Sequence, residues 1–307
     1  MRHPALELSH ILLARKRFLG RKKKNVIGER LSVPLPGGDK VTVYLYRPTT
    51  PPASPMPVLF SLHGGAWVFG TALGNDAQSQ TLAESFGATV VNIEYTCLDE
   101  KPFPRPQEET LAVVRFFLSR AKIYNIDPDR LYLIGFSAGA HIAAGAAMLL
   151  RDAGIGLRRQ ILCYPFLNFV GFDYAAYMRV SGKRADYLVK GVRAFFFEKL
   201  PEDAPLLSPA AAEPEALSGL APALLLACGD GDPLCAQAEV YADKLSSAGV
   251  PAELKIYEKA RHGFLEANFP DAHGGAARND LQRELMIEAL GYIRSAAGFA
   301  PAQEGAL

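Results

Sequence analysis

The sequence contains few cysteines and no long apolar segment. Its 307 residues include four scattered cysteines, too few for a disulfide framework, and no CxxC or Cys/His grouping of the kind that binds zinc. No segment approaches the run of about 18 apolar residues that a membrane-spanning helix needs. These absences argue against a disulfide-stabilised scaffold, a metal site and an integral membrane protein. The cysteines are Cys97, Cys163, Cys228 and Cys235.

Basic and acidic side chains nearly balance over the whole chain, but they are unevenly distributed along it. With 33 basic and 32 acidic side chains the formal net charge is +1, so no global field favours nucleic acid as a partner. Residues 1–50 carry a charge of +8 and the rest of the chain −7. For the basic cluster Arg21–Lys24 two roles remain open: contact with anionic lipid or nucleic acid, and the favoured role of a solvated helix end.

The N-terminal segment does not resemble a signal peptide. Glu7 and the charged residues 15–17 stand where a signal peptide would have an apolar block, and no small-residue cleavage site follows. Together with the low cysteine content, this pattern predicts a location in the reducing cytoplasm.

Strand-like segments alternate with helical ones along most of the chain. The strand-like segments are 41–46, 58–63, 89–95, 131–136, 160–165, 223–228 and 252–257. The segments with helical spacing are 77–87, 107–124, 138–152, 235–248 and 278–297. Several strands are continuously apolar, as expected of strands covered on both faces. The alternation predicts an α/β fold, in which a mostly parallel sheet has helices on both sides.

Two regions do not follow this alternation. Residues 1–30 have the spacing of an amphipathic helix that ends in the basic cluster, and residues 166–208 form a long insertion between two strands. The first 32 residues of the insertion carry nine aromatic side chains, a density that requires a place to bury them. Two interpretations remain: a lid that lines a pocket, which we favour because long insertions are often functional, and simple attachment of the insertion to the body.

The strongest local signal is Gly135-Phe136-Ser137-Ala138-Gly139, where an apolar strand ends and a helix of small residues begins. A serine on such a tight turn exposes its hydroxyl, and glycines two residues before and after it relieve crowding. The following helix adds its N-terminal N–H groups near any oxyanion that develops. The pattern indicates a nucleophilic serine.

A second signal is His63-Gly64-Gly65-Ala66-Trp67, directly after another apolar strand. Consecutive small residues allow main-chain N–H groups to face a site without side chains in the way, as an oxyanion hole requires. An ordinary Gly-Gly turn is the alternative. We favour the oxyanion hole because the turn precedes a nucleophile motif on the same chain.

A serine hydroxyl needs a base, and the base needs a group that orients it. Of six histidines, His262 lies in a loop just after a strand, whereas His141 lies one helical turn beyond Ser137 and points away from the elbow. Asp230 and Asp232 both follow the strand 223–228, and either one could be the carboxylate. The order serine, aspartate, histidine is that of α/β-hydrolases.

Taken together, the motifs HGGAW, GFSAG, DPL (232–234) and HGF (262–264) resemble the hormone-sensitive-lipase group of α/β-hydrolase esterases. The similarity extends over about residues 41–297 and includes EYTCLDEKPFP, which resembles the family's YRLAPE-type segment. It implies an α/β-hydrolase domain over 41–307, with a cap from the arm (1–40) and from the insertion at about 166–208. It also implies that Asp232, rather than Asp230, completes a triad with Ser137 and His262.

The resemblance further implies an oxyanion hole and a pocket. Its donors would come from the HGGAW turn and from the residue after the serine, and we assign it to Gly64, Gly65, Ala66 and Ala138. Trp67 and Phe136 are candidate pocket residues. The chain departs from the family at Phe136, where aspartate is common, so the identity of the substrate is not implied. No metal or other cofactor is expected.

The sequence therefore predicts a serine carboxylesterase that acts on short-chain acyl esters through an acyl-enzyme. The alternative within enzymes is an aryl formamidase or amide hydrolase, since formamidases of this fold combine an HGGxW turn with an SAGAH elbow, here Ser137 to His141. A silent binding module is disfavoured because His262 is retained. The expected partner is a small-molecule ester, with no nucleic acid, and a homodimer is left open.

Overall fold

Eight strands form one sheet in the order β1-β2-β4-β3-β5-β6-β7-β8 in the computed structural model, which describes residues 25–170, 201, 203–269 and 279–300. The first two neighbouring pairs, β1 with β2 and β2 with β4, are antiparallel, and the other pairs are parallel. The strands are β1 Glu29–Pro34, β2 Lys40–Tyr46, β3 Met56–Leu62, β4 Thr89–Glu94, β5 Ile126–Phe136, β6 Arg159–Cys163, β7 Ala223–Cys228 and β8 Ala252–Tyr257.

Helices cover both faces of this sheet. They are α1 Asp76–Phe86, α2 Arg105–Leu118, α3 Ala121–Tyr124, α4 Ala138–Asp152, α5 Pro214–Leu217, α6 Cys235–Ser247, α7 Phe264–Ala267 and α8 Asp280–Ala297. Apolar residues of α2, α4 and α6 form one buried cluster with the sheet, and those of α1 and α8 form a second. The predicted α/β-hydrolase architecture, a mostly parallel sheet between two helical layers, is confirmed.

The parallel part of the sheet determines where a site can form. The strands β3, β5, β6, β7 and β8 are neighbours in that order and run in the same direction. Their carboxyl ends, and the loops that follow them, therefore meet along one edge of the sheet, where ligands bind in open α/β folds. Both glycine motifs and both candidate partners of the serine follow strands of this group.

The edge strand β1 was not predicted from the sequence, and it lies within the segment expected to be an arm. Of its six residues only Val33 is buried, so the segment has too few inward apolar positions to be recognised as a strand. Antiparallel pairing with β2 along its full length specifies its conformation instead. Residues 29–34 thus belong to the sheet.

A second difference concerns the helix predicted over 107–124. The structure divides this segment into α2 and the single turn α3. The Ser119 hydroxyl donates to the Phe116 carbonyl at 2.9 Å. Such local bonds from serine compete with the helical pattern. Among the described helices, none is both long and apolar enough to cross a bilayer.

Much of the predicted cap lies outside the described residues. This holds for residues 1–24, with the basic cluster, and for residues 171–200 of the insertion. The flanks of the insertion are described, and Phe166, Phe169 and Leu207 are buried there. The lid interpretation of the insertion stays a prediction.

Candidate active site

Ser137 lies on a sharp turn between β5 and α4. Its φ of 53° and ψ of −115° are uncommon for a residue other than glycine. Both flanking residues must be glycine because neighbouring backbone atoms leave no room for a Cβ. A Cβ on Gly135 would lie 2.3 Å from the Gly139 carbonyl oxygen, and a Cβ on Gly139 would lie 2.1 Å from the Leu62 carbonyl oxygen. The Ser137 N–H donates to the Cys163 carbonyl at 2.9 Å, which ties the turn to β6.

The loops after β7 and β8 bring an aspartate and a histidine to this serine. His262 Nε2 lies 2.8 Å from Ser137 Oγ, and His262 Nδ1 lies 2.7 Å from Asp232 Oδ2. These are ordinary hydrogen-bond distances, within the range expected of a nucleophile, its base and an orienting group. The three side chains, distant in sequence, therefore form one continuous chain of hydrogen bonds.

The two candidate aspartates occupy different environments. The Asp232 side chain is only 3% exposed, and its second oxygen accepts the Leu234 N–H at 3.0 Å, which fixes the carboxylate. Asp230 is 51% exposed and pairs with Arg261 at 3.2 Å. The geometry places Asp232 on the imidazole and Asp230 at the surface.

The electrostatic surroundings of His262 favour its charged form. Removal from water would by itself lower the pKa of His262, but the charge of Asp232, the hydrogen bond to it and the charge of Glu266 outweigh that effect. The net result is a pKa above the ordinary value of 6.5. The imidazole is thus well suited to hold a proton taken from Ser137.

The HGGAW turn after β3 has an unusual backbone. Gly65, Ala66 and Trp67 have consecutive positive φ values of 126°, 49° and 63°. A Cβ on Gly65 would lie 2.1 Å from the Phe69 carbonyl oxygen, so only glycine fits there. Within the described residues, no hydrogen bond is formed by the N–H groups of Gly65, Ala66 and Ala138, the last being the first residue of α4. Such donors are what an oxyanion hole needs.

Gly64 differs from the other predicted oxyanion donors. Its N–H is directed to Glu266 Oε1 at 3.3 Å, and a Cβ at this position would lie 3.2 Å from both that oxygen and the Phe136 carbonyl. A side chain at position 64 would therefore crowd the Glu266 carboxylate and the Phe136 carbonyl. The role of oxyanion donor predicted for Gly64 is not supported by this arrangement.

Glu266, which the sequence analysis did not single out, lies next to the three-residue chain. Besides Gly64, it accepts hydrogen bonds from Asn75 Nδ2 at 3.4 Å and from the Tyr164 hydroxyl at 3.1 Å. Burial raises the pKa of Glu266, although these bonds and the proximity of His262 oppose the rise. The only sequence signal was an acidic residue within the apolar segment GFLEANF, four positions after His262.

His141 is buried and is bonded on both ring nitrogens. Nδ1 accepts from Trp67 Nε1 at 3.0 Å, and Nε2 lies 2.9 Å from the Leu207 carbonyl. Burial lowers the pKa of His141 to about 4, partly offset by the bond to Leu207. A neutral, fully engaged imidazole cannot serve as the base, in agreement with the sequence analysis.

The two candidate pocket residues are both buried. Phe136 is 1% exposed and belongs to the cluster beneath Tyr164, so the prediction that its side chain lines a substrate pocket is not supported. Trp67 is 5% exposed and packs on Phe166 and Phe169, with ring centroids 5.1 and 5.5 Å away. Contact of Trp67 with substrate stays a prediction. In the described part of the chain, no group of three or more His, Cys, Asp or Glu could hold a metal.

Comparison with known proteins identifies the family. A family model described as alpha/beta hydrolase fold matches residues 59–266, which include both glycine motifs and all three members of the hydrogen-bonded chain. The chain belongs to the α/β hydrolase fold family. The resemblance to the hormone-sensitive-lipase group is confirmed at the level of family, and so is the prediction that this α/β hydrolase is a carboxylic ester hydrolase.

Several proteins that this chain resembles, in sequence or in structure, are named esterases. It is 30% identical over 240 residues to an arylesterase of Saccharolobus solfataricus, covering 76% of this chain and 73% of the relative. It is 28% identical over 258 residues to an acetyl esterase of Salmonella schwarzengrund, covering 82% and 78%. A Pyrobaculum calidifontis esterase structure superposes with a TM-score of 0.74 at 27% identity, covering 95% and 91%.

Proposed function

We propose that this α/β hydrolase is a serine carboxylesterase that cleaves short-chain acyl esters through a Ser137-His262-Asp232 triad. The observation that carries the proposal is the pair of contacts made by one imidazole, 2.8 Å to the Ser137 hydroxyl and 2.7 Å to the Asp232 carboxylate. His262 takes the Ser137 proton as Oγ attacks the ester carbonyl, and Asp232 orients the ring. The alcohol leaves with that proton, and water then releases the acid from the acyl-enzyme.

Main-chain N–H groups stabilise the negative oxygen of each tetrahedral intermediate. The donors that we assign are Gly65 and Ala66 of the HGGAW turn and Ala138 at the start of α4, where the helix adds partial positive charge. Loss of one such donor typically raises the barrier by about 3 to 4 kcal/mol. No step in this sequence requires a metal or an organic cofactor.

The preference for short acyl groups is supported by two observations. One curated relative is an acetyl esterase, and the aromatic rings of Trp67, Phe166 and Phe169 fill space beside the oxyanion turn. A space filled in this way favours acetyl to hexanoyl groups over long chains. A series of p-nitrophenyl esters tests this preference, and faster turnover of chains of twelve carbons or more would contradict it.

The proposed chemistry is tested by Ser137→Ala. Alanine can occupy the same backbone conformation, so the variant should keep the melting temperature of the wild type. Hydrolysis of p-nitrophenyl acetate should fall by about a million-fold, as expected when a serine nucleophile is removed, and labelling by a fluorophosphonate should disappear. Turnover near that of the wild type would refute the assignment.

Aryl formamidase activity is the second candidate because the chain has both an HGGxW turn and an SAGAH elbow, and a hydrogen bond from Trp67 to His141 links the two. Parallel assays with an aryl ester and N-formylkynurenine discriminate the two, and a kcat/KM that favours the formamide would replace the esterase proposal. A cytoplasmic location, a small-molecule ester as partner and a homodimer remain predictions from the sequence.

A further inference from the structure

Glu266 connects three segments around the proposed triad. It lies in the single-turn helix α7, just after the loop that carries His262. One carboxylate oxygen accepts from Gly64 in the HGGAW turn and from Asn75 before α1, and the other accepts from the Tyr164 hydroxyl after β6. The triad mechanism uses none of these contacts.

The hydrogen-bond partners of Glu266 indicate its charge state. The Gly64 N–H and the Asn75 amide can only donate at these distances, and the Tyr164 hydroxyl can donate as well. A protonated carboxyl would itself need an acceptor, and of these three groups only the Tyr164 hydroxyl oxygen could serve as one. Three donors directed at its two oxygens favour the ionised carboxylate, and these bonds oppose in part the burial that raises the pKa of Glu266.

Tyr164 places this carboxylate next to the catalytic imidazole. Its ring packs edge-on against the His262 ring, with centroids 5.0 Å apart, while its hydroxyl donates to Glu266. Tyr164 is only 1% exposed and has a φ of 39°, so the surrounding structure constrains its position. His262 is therefore flanked by the carboxylate of Asp232 on one nitrogen and by the Tyr164–Glu266 pair on one face.

We infer that Glu266 is a positioning residue that holds the HGGAW turn through Gly64 and provides a second negative charge to stabilise the His262 imidazolium. The inference rests on the proposed function, because the imidazolium forms when His262 takes the Ser137 proton. A preorganised charge costs no rearrangement at that moment, so it lowers the barrier for each tetrahedral intermediate.

The titratable groups around Glu266 determine how this charge can be detected. They are His262, Tyr164, Tyr95 and Cys163. Burial raises the pKa of Tyr95, Tyr164 and Cys163 well above their ordinary values, so these groups do not titrate near neutral pH. Asp232 also faces His262 and is unchanged in the variants below. A change in the neutral range therefore reports on His262 and Glu266.

The test is Glu266→Gln, which keeps the size of the side chain and removes its charge. The midpoint of the His262 imidazole titration, followed by NMR, should shift to lower pH, and the acid limb of kcat/KM for p-nitrophenyl acetate should shift with it. At the pH optimum, kcat should fall by roughly 10- to 100-fold with KM within about twofold, because the lost charge stabilises the imidazolium of the transition state rather than the bound substrate.

Two variants control for charge and for geometry. Asp230→Asn removes an exposed carboxylate paired with Arg261 and should leave the titration and kcat unchanged. Glu266→Asp retains the charge on a shorter side chain, so it should lower kcat while keeping the titration midpoint close to that of the wild type. Equal midpoints in the wild type and Glu266→Gln would overturn the inference, whatever the change in kcat.

Failure of this inference is distinguishable from failure of the proposed esterase. The NMR titration needs no turnover, whereas the esterase proposal depends on the loss of activity in Ser137→Ala. If Glu266→Gln does not fold, Tyr164→Phe tests the same claim, since loss of one donor favours protonation of Glu266 and should shift the midpoint in the same direction. An unshifted midpoint in that variant would also overturn the inference.

Discussion

Trp67 and His141 form a hydrogen bond that joins the oxyanion turn to the helix of the nucleophile. The indole N–H can only donate, so Nδ1 of His141 accepts it at 3.0 Å, and Nε2 must carry the proton that is donated to Leu207. This requirement fixes the neutral tautomer of a buried histidine. The pair ties the strained HGGAW turn both to α4 and to the end of the insertion.

Replacing His141 with phenylalanine should destabilise the protein while retaining much of its ring volume. The Trp67 N–H and the Leu207 carbonyl would each lose a buried hydrogen bond, at a cost of about 1 to 3 kcal/mol per group. Urea unfolding of His141→Phe, Trp67→Phe and the double variant measures the coupling, which we expect to be about 0.5 to 3 kcal/mol. Additive effects would show that the two side chains act independently.

The same histidine should make stability depend on pH. Its pKa is about 4 in the folded chain against an ordinary value of 6.5, so between these values the unfolded chain binds a proton that the folded one does not. Stability from this source is complete above pH 6.5 and falls as the pH is lowered towards 4, by up to about 3 kcal/mol. Other groups also titrate in this range, so the comparison is between the wild type and His141→Phe. A stability advantage of the wild type that is the same at pH 7 and pH 4.5 would contradict the prediction.

Asp232 and Asp230 provide a matched pair of substitutions two residues apart. Asp232→Asn keeps the shape of the side chain but no longer stabilises the imidazolium or favours the required tautomer, and kcat should fall by about 10⁴-fold. Asp230→Asn breaks only an exposed ion pair with Arg261, which contributes about 0 to 1 kcal/mol to stability, and should leave kcat within about twofold. Steady-state hydrolysis of p-nitrophenyl acetate measures both. Similar losses in the two variants would contradict the assignment of Asp232.

Two glycines with positive φ allow a comparison between the HGGAW turn, which contains Gly65, and an ordinary helix end at Gly87. An added Cβ on Gly65 would meet the Phe69 carbonyl at 2.1 Å, so Gly65→Ala should displace the HGGAW turn and lower kcat by at least about 100-fold. Gly87 ends α1 at a φ of 57° with open space around it, so Gly87→Ala should cost about 1 kcal/mol without affecting kcat. Thermal unfolding and ester hydrolysis of both variants check this contrast, and full activity in Gly65→Ala would argue against the oxyanion turn.

Most of the sheet could be predicted because its central strands are buried on both faces. Seven of the eight strands were recognised as apolar or alternating segments, and β7 is buried at every position. The edge strand β1 has one buried residue and takes its conformation from pairing with β2, information that is absent from its own six residues. Local patterns also missed the interruption after Leu118, where the Ser119 hydroxyl donates to the Phe116 carbonyl.

In the candidate active site, sequence reasoning identified the residues that lie in a recognisable motif and missed those that do not. Ser137 and His262 followed from their places after strands, whereas the choice between Asp230 and Asp232 needed the family resemblance. Glu266 has no motif, because its importance arises from contacts with Gly64, Asn75 and Tyr164 that only folding brings together. Gly64 is a comparable case: nothing in the sequence shows that its N–H is directed to a carboxylate 202 residues away.

The bond from the Ser137 N–H to the Cys163 carbonyl makes the serine the last rung of the β5–β6 ladder. The backbone that carries the reactive oxygen is thus hydrogen-bonded to the buried centre of the sheet. Protein engineers who want the enzyme to accept a different ester should therefore leave β5 and β6 unchanged, because these two strands keep the nucleophile in register with the sheet.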